Sequence, residues 1–189
     1  MTRFKNTYRV ESIRLKDYDY SQPGAYFITI CAKNRQCIFG NIMDGVMILN
    51  YGGHVAQQCW SEIPLHYSNV SLDAFVVMPD HIHGIIVINE RHPVEANNHS
   101  PLPNKFRSPS KTVGSMVRGF KIGVTKWFRQ QGNIYYVWQP NYYEHIIRDE
   151  NGFNNIRDYI IRNPSHWKNK ENNKQSFIKK LNKYTYRHR

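Results

Sequence analysis

Two apolar runs, 72–78 and 81–89, are separated by nothing but Pro79-Asp80. With Val76-Val77 in the first and Ile85-Ile86-Val87-Ile88 in the second, both read as strands, and Pro79-Asp80 reads as a turn or bulge. With so little chain between them they form either a hairpin or one strand bent at Pro79. Either way a sheet is built around residue 80. A further strand is expected over 24–32, where Gly24-Ala-Tyr-Phe-Ile-Thr-Ile-Cys follows a Pro-Gly turn. Residues 54–63 read as a helix, since Val55, Cys59 and Ile63 recur every fourth position and Pro64 follows.

Residues 91–110 hold Pro93, Pro101, Pro103 and Pro109 among Asn, His and Ser, and read as a linker inside the domain. The span 111–131 is strongly amphipathic. Val113, Met116, Val117, Phe120, Val124, Trp127 and Phe128 share one side of a helical wheel; Lys111, Arg118, Lys121, Lys126 and Arg129 share the other. A short strand is expected over 134–138 and a last helix over 152–162, stopped by Pro164. The order strand, helix, strand, strand, helix, strand, helix is that of an α+β, ferredoxin-like (split βαβ) fold. It predicts an antiparallel sheet with helices on one face, plus an appended C-terminal helix. Residues 1–23 read as an N-terminal arm, 24–167 as the domain and 168–189 as a basic tail.

Charge narrows the function. The chain has 189 residues with a formal net charge of +12, which points to a polyanionic partner, nucleic acid first. Residues 96–143 carry seven basic side chains and no acidic one, and the segment from 163 onward carries eight against one. No apolar run approaches the ~20 residues that span a bilayer, and residues 1–6 lack the apolar stretch of a signal peptide. Three cysteines without a C-x-x-C spacing argue against a disulfide framework or a cysteine zinc site. A reducing, cytoplasmic setting without a membrane is expected.

Two features carry chemistry. In a strand, His81 and His83 project from the same face and Ile82 from the other, so the two imidazoles form half of a divalent-metal site. Polar-face histidines are the ordinary alternative, although a buried strand is an unusual place for them. On the last helix Tyr159 and Asn163 are four apart and share a face. A phenol beside an amide suits a nucleophile next to a metal ligand; a half-buried tyrosine with any hydroxyl partner is the plainer reading.

These features occur together in one set. Met78-Pro79-Asp80 leads into His81-Ile82-His83; Val137-Trp138-Gln139-Pro140 is followed by Glu144-His145-Ile146-Ile147-Arg148; and Asp158-Tyr159-Ile160 runs to Asn163-Pro164 and Trp167. This set resembles the single-tyrosine HUH transposases, and more closely their REP-associated tyrosine transposase branch, over roughly 24–167. The resemblance implies metal-dependent cleavage and rejoining of single-stranded DNA bearing hairpin or palindromic elements, by a bacterial protein associated with the nucleoid when bound. It implies His81 and His83 as metal ligands, Asn163 as a third, polar ligand, Mg²⁺ or Mn²⁺ as the cation, and Tyr159 as the nucleophile of a 5′-phosphotyrosine link. It also leans toward a monomer over a homodimer. His145 and Arg148 are expected to serve structure or DNA contact. Lys111, Arg118, Lys121, Lys126 and Arg129 are expected to track the DNA backbone, and Phe177, Tyr184 and Tyr186 of the tail are candidates for base stacking. Two other classes stay open beside this one: a non-catalytic RRM-like nucleic-acid-binding module, and a metal hydrolase of small phosphoesters.

Overall fold

The computed structural model describes residues 3–4, 7–8, 18–90, 111–132 and 136–167. The linker 91–110, the tail 168–189 with its three aromatics, and most of the arm 1–23 lie outside the described residues. Two short strands, β1 (Arg3–Phe4) and β2 (Thr7–Tyr8), pair antiparallel within the arm.

The organising strand is β3 (Gly24–Cys31), buried from Tyr26 onward. A strand that is apolar on both faces must be covered on both. Tyr26, Ile28 and Ile30 point one way; Phe27, Thr29 and Cys31 point the other. β3 pairs antiparallel with β7 (His81–Ile88) on one side and with β8 (Tyr143–Ile147) on the other. β6 (Val70–Met78) pairs antiparallel with β7, so Pro79-Asp80 closes a hairpin. The order β6-β7-β3-β8 is that of the ferredoxin-like fold.

The first face of the sheet carries the main core. Helix α1 (Tyr51–Ser61), the short α2 (Ile63–His66) and α3 (Val113–Gln130) cover it. Ala56, Trp60, Ile63, Met116, Val117, Phe120, Val124 and Phe128 meet Tyr26, Ile28, Ile30, Ile82 and Ile86 there. The second face carries α4 (Glu150–Ile161), whose Ile156 and Ile160 pack on Phe27, Ile85 and Ile147. Arg157 on α4 reaches Asp73 on β6 at 3.1 Å. The appended helix therefore lies alone opposite the other three.

Side-chain caps set the helix starts. Asn50 accepts from the Gly53 amide at 2.9 Å, Thr112 from Ser115 at 3.2 Å and Asp149 from Gly152 at 2.7 Å. Consequently α1 begins at Tyr51 rather than 54 and α4 at Glu150 rather than 152. Lys111, placed on the helix by the wheel, lies before its cap with φ +77°. Pro64 does not stop a helix; it opens α2 near its first position, where a missing amide costs nothing.

One strand assignment is corrected. The fourth sheet strand is β8, not 134–138. Gln139 donates to Cys31 O at 2.9 Å and Lys33 to Val137 O at 2.8 Å, and Trp138 bridges Ala32. Residues 134 and 135 lie outside the described residues; the described remainder pairs at and past the end of β3, Pro140 follows, and 143–147 takes the register against residues 25–29. A further hairpin, β4 (Gly40–Met43) with β5 (Val46–Leu49), was not anticipated. Asp44-Gly45 turns it with φ of +50° and +76°, the mirror-image turn that suits two-residue hairpins. A Cβ on Gly45 would stand 3.4 Å from Ser165 Cα, so the hairpin tip rests on the segment that follows α4.

Gly84 lets the main core close. A Cβ there would lie 2.3 Å from Trp60 Cζ2, and the Trp60 indole is itself stacked on Phe75 at 4.8 Å and edge-on to Phe120 at 5.6 Å. The ring has no room to retreat. Gly84→Ala is expected to cost about 3 kcal/mol, lowering the thermal midpoint by roughly 6–12 °C. A midpoint unchanged in calorimetry would mean that the indole is not held as described.

Candidate active site

The two histidines lie where β7 leaves the Pro79-Asp80 turn, on the face covered by α4. Register places His83 opposite Thr29 of β3 and Val76 of β6, and His81 opposite Cys31 and Met78. Both rings are buried, His83 fully. Neighbours hold each at Nδ1. Asp80 Oδ1 accepts from His81 Nδ1 at 2.6 Å. Thr29 Oγ1 and His83 Nδ1 share a hydrogen bond of 2.8 Å; a hydroxyl both donates and accepts, so Thr29 serves either tautomer of His83. Phe27 stacks on the His83 ring at 5.4 Å, and Trp167 stacks on the His81 ring at 5.9 Å.

With their Nδ1 atoms engaged, the rings turn their Nε2 atoms toward each other, 3.0 Å apart. The Tyr159 hydroxyl stands 3.4 Å from His83 Nε2. Three polar atoms from β7 and α4 thus converge on one point. Burial pushes both imidazoles below their ordinary pKa of 6.5, only in part opposed by Asp80 for His81. His83 falls furthest because the charges of His81 and Arg35 add to burial. Both rings are therefore neutral at neutral pH, the state in which imidazole ligates a metal.

The donor set fits a divalent cation. The two Nε2 atoms, 3.0 Å apart, share one proton in an N–H···N hydrogen bond, and with both rings in the Nδ1–H form they turn two lone pairs to the same point, where a cation fits. Two neighbouring ligands of an octahedral ion at ~2.1 Å stand about 3 Å apart. Among the described residues no group of three or more His, Cys, Asp or Glu side chains gathers around such a point. The set available is two imidazoles, with the phenol of Tyr159 on α4 beside them.

Of the residues singled out in the sequence, His81, His83 and Tyr159 are brought together. Asn163 is half-buried just past α4, its amide nitrogen donating to Ile160 O at 3.2 Å. Its side chain makes no hydrogen bond to either histidine among the described residues. The 3-10 turn Pro164–His166 leads from Asn163 to Trp167, so the segment returns to the His81 ring. His145 shares the site's face of the sheet, opposite Phe27, with its pKa lowered by burial and then by Arg148. Arg148 is exposed.

The basic helix departs from expectation in two ways. Arg118, Lys126 and Arg129 are exposed on α3, but α3 covers the sheet face opposite Tyr159. Lys121 does not join them. Its Nζ donates to the carbonyls of Gln139 at 2.8 Å, Asn141 at 3.1 Å and Pro140 at 3.4 Å, and Trp138 Nε1 donates to Lys121 O at 3.2 Å. Burial pulls this lysine down to about 8. Its ammonium fastens the approach to β8 onto α3.

Sequence reasoning did not identify Thr29, Asp80, Arg35 or Phe27 as supports of the pair. Asp80 carried a signal, since it directly precedes His81 in a buried turn. Thr29 carried one too, as the hydroxyl in an otherwise apolar strand.

The chain is similar to several known proteins. The chain is 49% identical over 161 residues to an uncharacterized protein of Haemophilus influenzae, spanning 82% of this chain and 88% of that one. It is 28% identical over 146 residues to another protein of that organism, provisionally named a REP-associated tyrosine transposase, spanning 77% of this chain and 73% of the relative. The solved structure of a REP-associated tyrosine transposase bound to a REP hairpin is similar with a TM-score of 0.55, covering 80% of this chain and 73% of its own, at 19% identity; that likeness shows the fold. No family model matches the chain. Among the described residues no helix is long and apolar enough to cross a membrane.

Proposed function

We propose that the chain is a REP-associated tyrosine transposase that cleaves and rejoins single-stranded DNA carrying hairpin elements, with Tyr159 as nucleophile. The observation that carries this reading is the convergence of Tyr159 with the paired Nε2 atoms of His81 and His83. A metal-free binding module has no use for two neutral imidazoles buried against a phenol. A hydrolase of small phosphoesters has no use for the phenol.

His81 and His83 would hold Mg²⁺ or Mn²⁺, with Asn163 our candidate for an oxygen ligand. Two nitrogen ligands suit Mn²⁺ at least as well as Mg²⁺. Bound there, the cation supplies Lewis-acid polarisation of a phosphate oxygen. Tyr159 attacks the phosphorus: the phenolic oxygen gives up its proton and forms the new P–O bond, the bond to the 3′-oxygen breaks, and that oxygen takes up a proton and leaves as a 3′-hydroxyl, so that no proton is gained or lost overall. The phosphotyrosine retains the phosphodiester's energy, so rejoining to another 3′-hydroxyl needs no nucleotide. Phe27 and Trp167 flank the pair and limit water at the rings. We place the protein in the bacterial cytoplasm, at the nucleoid when DNA-bound, and acting as a monomer.

The test is a denaturing gel of the protein with labelled single strands and hairpins from the DNA flanking its gene. A covalent adduct formed with Mn²⁺ or Mg²⁺ and lost with EDTA is expected. Binding without adduct in every DNA form and with both metals would leave only a basic binding module.

Arg118, Lys126 and Arg129 are proposed to grip DNA away from the scissile phosphate, because α3 lies across the sheet from Tyr159. Neutralising all three should flatten the slope of log affinity against log salt by roughly 2 for a single strand. Lys121→Gln should lower the melting midpoint and leave that slope alone. Equal slopes for the triple variant and the parent would remove α3 from the interface.

A further inference from the structure

Arg35 occupies a turn whose backbone is costly. It follows β3, and both Asn34 and Arg35 hold left-handed φ values, +53° and +57°. Two adjacent residues with side chains in that region are uncommon, and the cost must be offset by what the conformation delivers. Here it delivers a guanidinium to the turn before His81. Arg35 Nε lies 3.2 Å from Asp80 Oδ2, and Arg35 Nη1 donates to Cys31 Sγ at 3.0 Å. The backbones are tied as well: Arg35 N donates to Ala32 O at 3.0 Å, and Ala32 N to Asp80 O at 2.9 Å.

Asp80 is the middle of the chain of contacts. Its side chain is 5% exposed, so protein groups must satisfy the carboxylate. One oxygen accepts from Arg35 and the other from His81 Nδ1. We propose that Arg35 is a positioning residue for the active site: by holding Asp80 Oδ2 it fixes the carboxylate whose Oδ1 sets the orientation and tautomer of His81. Nε2 of His81 is thereby presented to His83 and Tyr159. The inference rests on the reading of His81 and His83 as the metal-facing pair, and adds to it a residue that touches neither metal nor DNA. Lysine is an incomplete substitute. Its single ammonium does not bridge Asp80 and Cys31 with the fixed fork of a guanidinium.

Two measurements test this on the full chain. Long-range ¹H–¹⁵N histidine spectra of the metal-free protein report the tautomer of each ring. His81 is expected wholly in its Nδ1–H form in the parent, as a mixture in Arg35→Ala, and in between in Arg35→Lys. Mn²⁺ titration followed by electron paramagnetic resonance should show about tenfold weaker binding for Arg35→Ala. Asp80→Asn should lose at least as much, and the double variant no more than Asp80→Asn alone. A folded Arg35→Ala protein with His81 still in its Nδ1–H form and parental Mn²⁺ affinity overturns the proposal. Should that variant fail to fold, Arg35→Lys carries the same comparison. Parent protein that binds Mn²⁺ no better than His83→Ala defeats the metal reading instead, and the tautomer spectra still decide the role of Arg35.

Discussion

Tyr159→Phe is expected to reduce covalent DNA adduct by about a thousandfold or more while Mn²⁺ binding survives. The substitution removes one oxygen. The ring keeps its edge contacts with Phe27 at 6.2 Å and with His83 at 5.3 Å, and the hydroxyl lost lies 3.4 Å from His83 Nε2, a long hydrogen bond. The thermal midpoint should therefore move by no more than about 2 °C. Loss of adduct in a protein that still folds and still binds metal isolates the nucleophile from the metal site. Adduct formed at the parental rate would sink the assignment. Attention would then turn to Tyr143, which stands on the same face of the sheet opposite Thr29.

His83→Ala should fail in two ways at once. The ring is fully buried, bonded to Thr29 and stacked on Phe27. Truncation leaves a cavity and a buried hydroxyl deprived of that bond, costing about 2–4 kcal/mol. Mn²⁺ affinity should fall at least a hundredfold, because half of the imidazole pair is gone. Assays well below the lowered midpoint separate the two losses. The pH profile gives an independent check. The pKa of His83 is lower folded than unfolded, so the unfolded chain takes up its proton first. The parent should keep full stability above the ordinary value of 6.5 and lose stability as pH falls below it. His83→Ala should show a shallower acid decline. An identical decline in both proteins would mean that His83 is not buried neutral.

Strand parity made the histidine pair legible from sequence, and helical spacing did the same for Tyr159 on α4. Both depend only on the local period of the backbone. The core face of α3 was legible for the same reason: every buried residue of that helix had been placed on its apolar side. Period does not say which segment an edge strand will choose. Residues 134–138 and 143–147 both look like strands, and only the register against β3 separates them. Nor does it distinguish a lysine facing solvent from one closing a loop, because Lys121 is answered by backbone carbonyls nearly twenty residues away. Arg35 was hidden most completely. Its role depends on a left-handed turn at two residues with side chains and on a partner 45 positions on, and neither leaves a mark in composition or spacing.

The opposed layers of the sheet have a consequence for how strand exchange can proceed. Among the described residues, twenty buried side chains make up the core between the sheet and α1, α2 and α3, whereas five make up the one beneath α4. Local opening follows the least-anchored element, at a free energy well below that of global unfolding. Of the two helical layers, the less anchored is the one bearing Tyr159. On the proposed reading of Tyr159, joined DNA would make this helix a tethered arm on a scaffold that stays folded. The proposed 5′ end would then be carried away from the histidines and returned to them with a different 3′ end waiting, with no need for the rest of the domain to move.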